Sequence, residues 1–184
     1  MYGKEIMKQS LPLIILCGIG ALLTGSTLGL MVDILKNIPG LIVVIPGIIA
    51  MRGNISTALG SRLGSAYHLG AIDADNIWNN DLKQNIYGSL ILSFIISIFI
   101  GLLAYITSVM IGVYPNALKL ISIVIIAGII SAIILTLLTI SIIYLVFKRG
   151  YDPDNITGPA LATFGDIITI FCILSSAILI EVIM

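Results

Sequence analysis

Apolar positions in this chain gather into five long blocks separated by short polar segments. The blocks run from about Ser10 to Val32, Ile38 to Ser65, Ile86 to Ile111, Leu118 to Phe147 and Asn155 to Ile183. About 20 such residues, wound as a helix, cross the roughly 30 Å hydrocarbon core of a bilayer. "GVYPN" (112–116) predicts a tight turn between the third and fourth blocks, because Pro115 and Asn116 end one helix and start the next. "AIDADNIWNNDLKQN" (71–85) and "KRGYDPDNITGP" (148–159) are the polar connections before the third and fifth. Without water in the hydrocarbon, each crossing must satisfy its own backbone hydrogen bonds, so every block is expected to be helical.

Composition fixes the solvent. Hydrophobic residues make up 59% of the 184 and charged ones only 10%, with a mean hydropathy of +1.17. Soluble chains carry about 25% charged residues. The chain is therefore an all-α integral membrane protein of five transmembrane helices, and its principal partner is the lipid bilayer. A net charge of zero and the lack of a basic run exclude nucleic acid as an expected partner. Lys4 and Lys8 ahead of an apolar run look like a signal peptide. The uncharged stretch from Gln9 to Val32 is too long for a signal core, so a retained helix is expected. Cys17 and Cys172 lie far apart without metal-type spacing and read as small buried hydrophobes.

Lysine and arginine positions set the orientation. If odd-numbered helices start inside, Lys4, Lys8, Arg62, Lys83, Lys148 and Arg149 are cytoplasmic, leaving Lys36 and Lys119 outside. That bias predicts a multi-pass protein of the cell membrane with a cytoplasmic N-terminus and an external C-terminus. "GSTLG" (25–29) and "GSRLG" (60–64) fit the spacing that lets helix backbones approach closely.

The residues that break the apolar rule carry the candidate chemistry. Pro39 and Pro46 remove backbone donors from the second block, and Gly40, Gly47 and Gly53 weaken it further. Such a segment is a packing kink, or else irregular backbone whose freed carbonyls face a cavity and suit a hard cation. Arg52 and Asn54 lie near its middle. A central arginine costs on the order of 3 kcal/mol or more and should face protein or water, pairing with Asp33 or with carbonyls. His68 reads as interfacial, and no catalytic triad forms around it. The aspartates of the loops are solvated, or form an acidic mouth that concentrates cations.

Asp166 is the sharpest signal. No other residue between Asn155 and Ile180 is charged, and an unpaired acid inside a membrane helix is a functional-site candidate by default. The alternative is a neutral acid bonded to a neighbouring helix. Pro159 and Gly165 loosen the helix around it, and Ala162 offers a carbonyl on the same face. One carboxylate cannot neutralise a divalent ion, but two could where two chains meet at a twofold axis.

These residues also form recognisable signatures. "PGIIAMRGNISTALGSRLGSAYHLG" and "DPDNITGPALATFGDIITI" resemble, in order and on the expected helices, the two signatures of the MgtE and solute-carrier-41 magnesium transporters. The resemblance spans the chain and implies a five-helix half-transporter, with broken second and fifth helices and a pore at the dimer interface. It implies that Asp166 is the pore aspartate and Asn54 the signature asparagine. It further implies that the carbonyls of Gly47 and Ala162 help hold a hydrated Mg2+, the transported ion. Arg52 resembles a basic residue of the animal-type signature.

The implied layout is one transmembrane domain, 1–184, without the CBS domains of bacterial members or the second repeat of animal ones. The partner is then an identical chain, giving a homodimer, or a paralogous half, giving a heterodimer. Mg2+ wants octahedral oxygen geometry and keeps several waters, which suits a few carboxylates and carbonyls. No enzymatic activity is expected. The rival readings are a non-transporting structural subunit of a larger complex and an intramembrane lipid-headgroup enzyme, the latter opposed by the scattered acids.

Overall fold

The structure is a computed structural model and describes residues 2–72, 78–149 and 153–184. Six helices follow one another: α1 (Tyr2–Leu30), α2 (Val32–Asn37), α3 (Leu41–His68), α4 (Asn80–Met110), α5 (Ala117–Lys148) and α6 (Pro153–Ile183). All but the short α2 are long and apolar enough to cross a membrane. The five blocks of the sequence thus become five spanning helices, and the described residues contain no strand.

Local chemistry sets the helix ends. Asn79 accepts a hydrogen bond from the Leu82 amide at 2.9 Å, and Asn116 accepts one from the Lys119 amide at 3.2 Å. Each side chain satisfies an amide that the first helical turn leaves without a partner. Pro153 opens α6, where its missing N–H costs nothing. Gly112 closes the α4–α5 turn with a φ of 81°.

Two apolar layers hold the bundle. One joins Leu41, Val44 and Ile48 of α3 to Leu120, Ile123 and Val124 of α5 and Ile170, Ile173 and Ala177 of α6. The other joins Leu59 and Leu63 of α3 to Leu82 of α4 and Ile143 of α5. The first half of α3 therefore meets the second half of α6, and the two run antiparallel. Helix α1 packs along α6, and α5 contacts α3, α4 and α6.

Two expectations need correction. The second and fifth spans are not broken near Pro46 and Pro159, because α3 and α6 continue through both prolines as unbroken helix. One proline removes a single hydrogen bond, here from the carbonyl of Ile42 or Asn155. Breaking the helix would strip several more bonds in a medium that offers no replacement. The interruption falls earlier, at Ile38–Gly40, between α2 and α3. Nor does Arg52 pair with Asp33, whose carboxylate lies 3.8 Å from Lys36 on the exposed surface.

Of the two Gly-x-x-x-Gly patterns, a Cβ added at Gly25, Gly29 or Gly64 would meet nothing within 4 Å. Gly60 is a true close approach, since a Cβ there would come 3.1 Å from Leu161 Cδ1 and 3.0 Å from Thr157 Cγ2. Both cysteines are free thiols. Asp73, Asp75 and Asp152 of the expected acidic mouth lie outside the described residues, as does the side chain of Asp154.

Candidate functional site

Helix α3 has two unlike faces. Its inward face is buried from Leu41 to Leu63 and apolar apart from Arg52 and Ser56. Its outward face carries Ala50, Asn54, Ala58, Ser61 and Ser65, all exposed and spaced at three or four residues, so they share one side. Beyond Ile42, α3 exposes no large hydrophobic side chain. Helix α4, by contrast, exposes Ile91, Phe94, Ile95, Phe99, Leu102 and Ile106. That second pattern suits hydrocarbon. The α3 stripe does not, because the Asn54 side chain makes no hydrogen bond with any described residue, and an amide stranded in lipid costs several kcal/mol (about 4–8 on an alkane scale). Water or a further protein surface must cover it.

Asp166 sits half-buried on α6, with Ala162 exposed one turn before it and Gly165 buried beside it. No described residue forms a hydrogen bond or ion pair with its carboxylate. Helix α1 closes one flank, where Gly20 lies so near Thr163 that a Cβ would collide with its Cγ2. The Cys17 thiol donates to the Pro159 carbonyl at 3.3 Å and ties the same two helices together.

The contact of Gly60 with Leu161 sets the relative depth of the two helices. At 1.5 Å per residue, Asn54 lies about 9 Å from that contact along α3. Asp166 lies about 7.5 Å along α6 in the same direction, because the helices are antiparallel. Asn54 and Asp166 are thus level, with Ala162 about one turn away. Gly47 is not with them, being displaced by about 12 Å toward the other end of α3. In continuous helices the carbonyls of Gly47 and Ala162 face the amides of Met51 and Asp166. What remains for an ion's water shell is the second lone pair of each oxygen.

The stripe around Asn54 was not picked out from the sequence as a feature. Its signal was the spacing of Ala50, Asn54, Ala58, Ser61 and Ser65, small or polar residues at helical intervals with no large apolar residue among them. Among the described residues, no three His, Cys, Asp or Glu side chains cluster as a metal site. A single chain offers one carboxylate at this depth, together with an amide and backbone oxygens.

Five apolar helices, with a half-buried carboxylate on one of them that has no described partner and a stripe of small and polar residues at its depth, define a multi-pass membrane protein. Comparison with known proteins gives the family. The MgtE family model, described as a divalent cation transporter, matches residues 45–176, well over half of the chain. The chain belongs to this family, whose members are transporters and not enzymes. It is also 28% identical over 172 residues to Solute carrier family 41 member 2 of Gallus gallus. The same protein of Homo sapiens is 26% identical over 172 residues, and Solute carrier family 41 member 3 of Rattus norvegicus is 27% identical over 166. These alignments cover 88%, 88% and 85% of this chain but only 29%, 29% and 35% of the relatives. The chain thus spans about a third of their length.

Proposed function

We propose that this chain carries Mg2+ across the cell membrane through a pore formed where two five-helix units meet. Asp166 faces the ion, and Asn54 together with the carbonyl of Ala162 contacts it through the ion's water shell. Gly47, expected as a further helper, lies about 12 Å too far along α3 to reach it. The observation that carries this reading is the α3 stripe, an exposed face of small and polar residues at the depth of Asp166, whose carboxylate has no partner among the described residues. A second unit laid against that stripe would cover Asn54 and bring a second Asp166 to the path. Two carboxylates balance one divalent charge.

The second unit is a copy of this chain or a paralogous half of the same fold. Mg2+ suits such a site because it dehydrates reluctantly and is held with several waters by one or two carboxylates. Weak contact through water also permits release. A membrane potential negative inside makes inward flow favourable. A divalent ion gains roughly 4.6 kcal/mol per 100 mV, twice the single-charge value.

The test is Asp166→Asn, which keeps shape and hydrogen-bonding capacity but removes one charge per chain. Purified protein in liposomes should lose at least about tenfold of its Mg2+ flux while its melting temperature stays near that of the wild type. A neutral structural acid would leave flux unchanged, because the amide can still bond across helices.

A further inference from the structure

The membrane interior holds one charge that this transport reading does not use. Arg52 lies on the core side of α3 and is 1% exposed. Its Nε has no partner among the described residues, and its Nη2 donates only to the Met51 thioether at 3.6 Å. A thioether is a weak acceptor. No described carboxylate lies within ion-pair distance of Arg52. Cys172 of α6 is within its electrostatic reach, and the buried hydroxyls of Thr169 and Ser176 on α6 are also unpartnered.

The arrangement of charge along the chain is economical. Arg52 is the sole charged residue between Lys36 and Arg62, and Asp166 the sole one between Asp154 and Glu181. The other three spans have none in their interiors. Each chain therefore places one positive and one negative charge in the membrane, on two antiparallel helices that touch. From the Gly60–Leu161 contact, Arg52 lies about 12 Å along α3 and Asp166 about 7.5 Å along α6. With helix axes 8–10 Å apart, the two charges stand on the order of 10 Å from each other. Two buried charges at such a separation act on each other through a low-dielectric interior, and these two form no ion pair.

Resting on the reading of Asp166 given above, we propose that Arg52 is the release charge of the ion site. It is a fixed, buried cation behind Asp166 that weakens divalent binding and so sets the pore's affinity and turnover. Two Asp166 groups alone would leave an empty pore with two negative charges, and an arriving ion, even behind its water shell, would leave more slowly. Two Arg52 groups, set behind the carboxylates and away from the path, weaken that negative field without meeting the ion. At about 10 Å and an effective dielectric of about 20, each Arg52 weakens binding of a single positive charge by on the order of tenfold. A divalent ion feels twice the energy, on the order of a hundredfold, less whatever the water in the pore screens.

The experiment compares Arg52→Met and Arg52→Lys in the full chain. Methionine keeps much of the length and removes the charge, and replacing an uncompensated buried ion by an apolar group leaves stability equal or higher. Lysine keeps the charge. Mg2+ binding to purified protein is read by calorimetry, flux in liposomes is read against Mg2+ concentration, and a thermal melt reports folding. Arg52→Met should bind Mg2+ at least about tenfold more tightly, saturate at correspondingly lower concentration and show a lower maximal flux. Arg52→Lys should behave as wild type.

A folded Arg52→Met with unchanged affinity overturns the proposal. So does Arg52→Lys behaving like Arg52→Met, which would assign the effect to guanidinium geometry. Failure of Arg52→Met to fold also overturns it, by making Arg52 a structural strut. Asp166→Asn serves as the reference in the same binding assay. If it leaves binding intact, the reading of Asp166 has failed. If it abolishes binding while Arg52→Met moves nothing, only the release charge has failed.

Discussion

Gly40 and Ser108 stand so close that no side chain fits between them. A Cβ on Gly40 would lie 2.7 Å from Ser108 Oγ and 3.2 Å from Pro115 Cγ. Gly40 also has a φ of 82°, which turns the chain from α2 into α3. Ser108 is itself fixed, donating to the Ala104 carbonyl at 2.7 Å. The start of α3 is therefore set against the end of α4, and α3 carries Asn54.

Gly40→Ala should consequently destabilise the protein by about 1–2 kcal/mol from the left-handed backbone alone, with the clash added. Denaturant or thermal unfolding in detergent would show it as a lowered midpoint. Gly70→Ala, at a φ of 71° with open space around it, should carry only the backbone share. Equal losses at the two glycines would refute the close packing of Gly40 on α4.

Pro46 gives a second prediction, because α3 is helical on both sides of it. In an unbroken helix, Pro46→Ala restores an amide facing the Ile42 carbonyl and relieves the ring's clash with the preceding turn. Stability should rise, by up to about 3 kcal/mol. Flux should be retained, because the site argued here lies at the depth of Asn54 and not at the proline. If Pro46→Ala abolished flux in a folded protein, a break in α3 would belong to the mechanism after all.

Much of this was legible in the sequence, for identifiable reasons. The five spans follow from block length, and Asn116 marks a helix start by side-chain chemistry that acts within three residues. Helix α4, by contrast, begins at Asn80, six residues before the apolar block, behind the Asn79 cap. Asp166 was legible because an unpaired acid in an apolar helix is anomalous on sight. The helix breaks were misplaced because Pro46 and Pro159 are judged one bond at a time in sequence. In the folded protein the surrounding bundle and the membrane hold the rest of each helix together. The isolation of Arg52 was hidden because pairing with Asp33 depends on where α2 points, and Ile38–Gly40 sends Asp33 to the exposed surface beside Lys36. The mismatch of Gly47 with Asp166 was likewise invisible until the Gly60–Leu161 contact fixed the register of α3 against α6.

The last prediction concerns what covers the α3 stripe. Ala50, Asn54, Ala58 and Ser61 are exposed on one chain, and a second unit laid against them would place equivalent residues across an axis. Single cysteines at Ala58 and Ser61, in a chain whose Cys17 and Cys172 are replaced by alanine, report this directly. A disulfide forms when the two Cα atoms come within about 7 Å, and a short bifunctional thiol reagent extends the reach. Treated in native membranes, both variants should yield a species of twice the chain mass. A cysteine at Ile95, on the hydrocarbon-facing side of α4, should not. The contrast matters because every exposed residue meets other molecules by collision in a crowded membrane, whereas a specific interface favours one face. Cross-linking at Ile95 with none at Ala58 or Ser61 would move the interface to α4 and leave Asn54 facing water alone. In that case the second carboxylate needed to balance a divalent ion would have no route to the site.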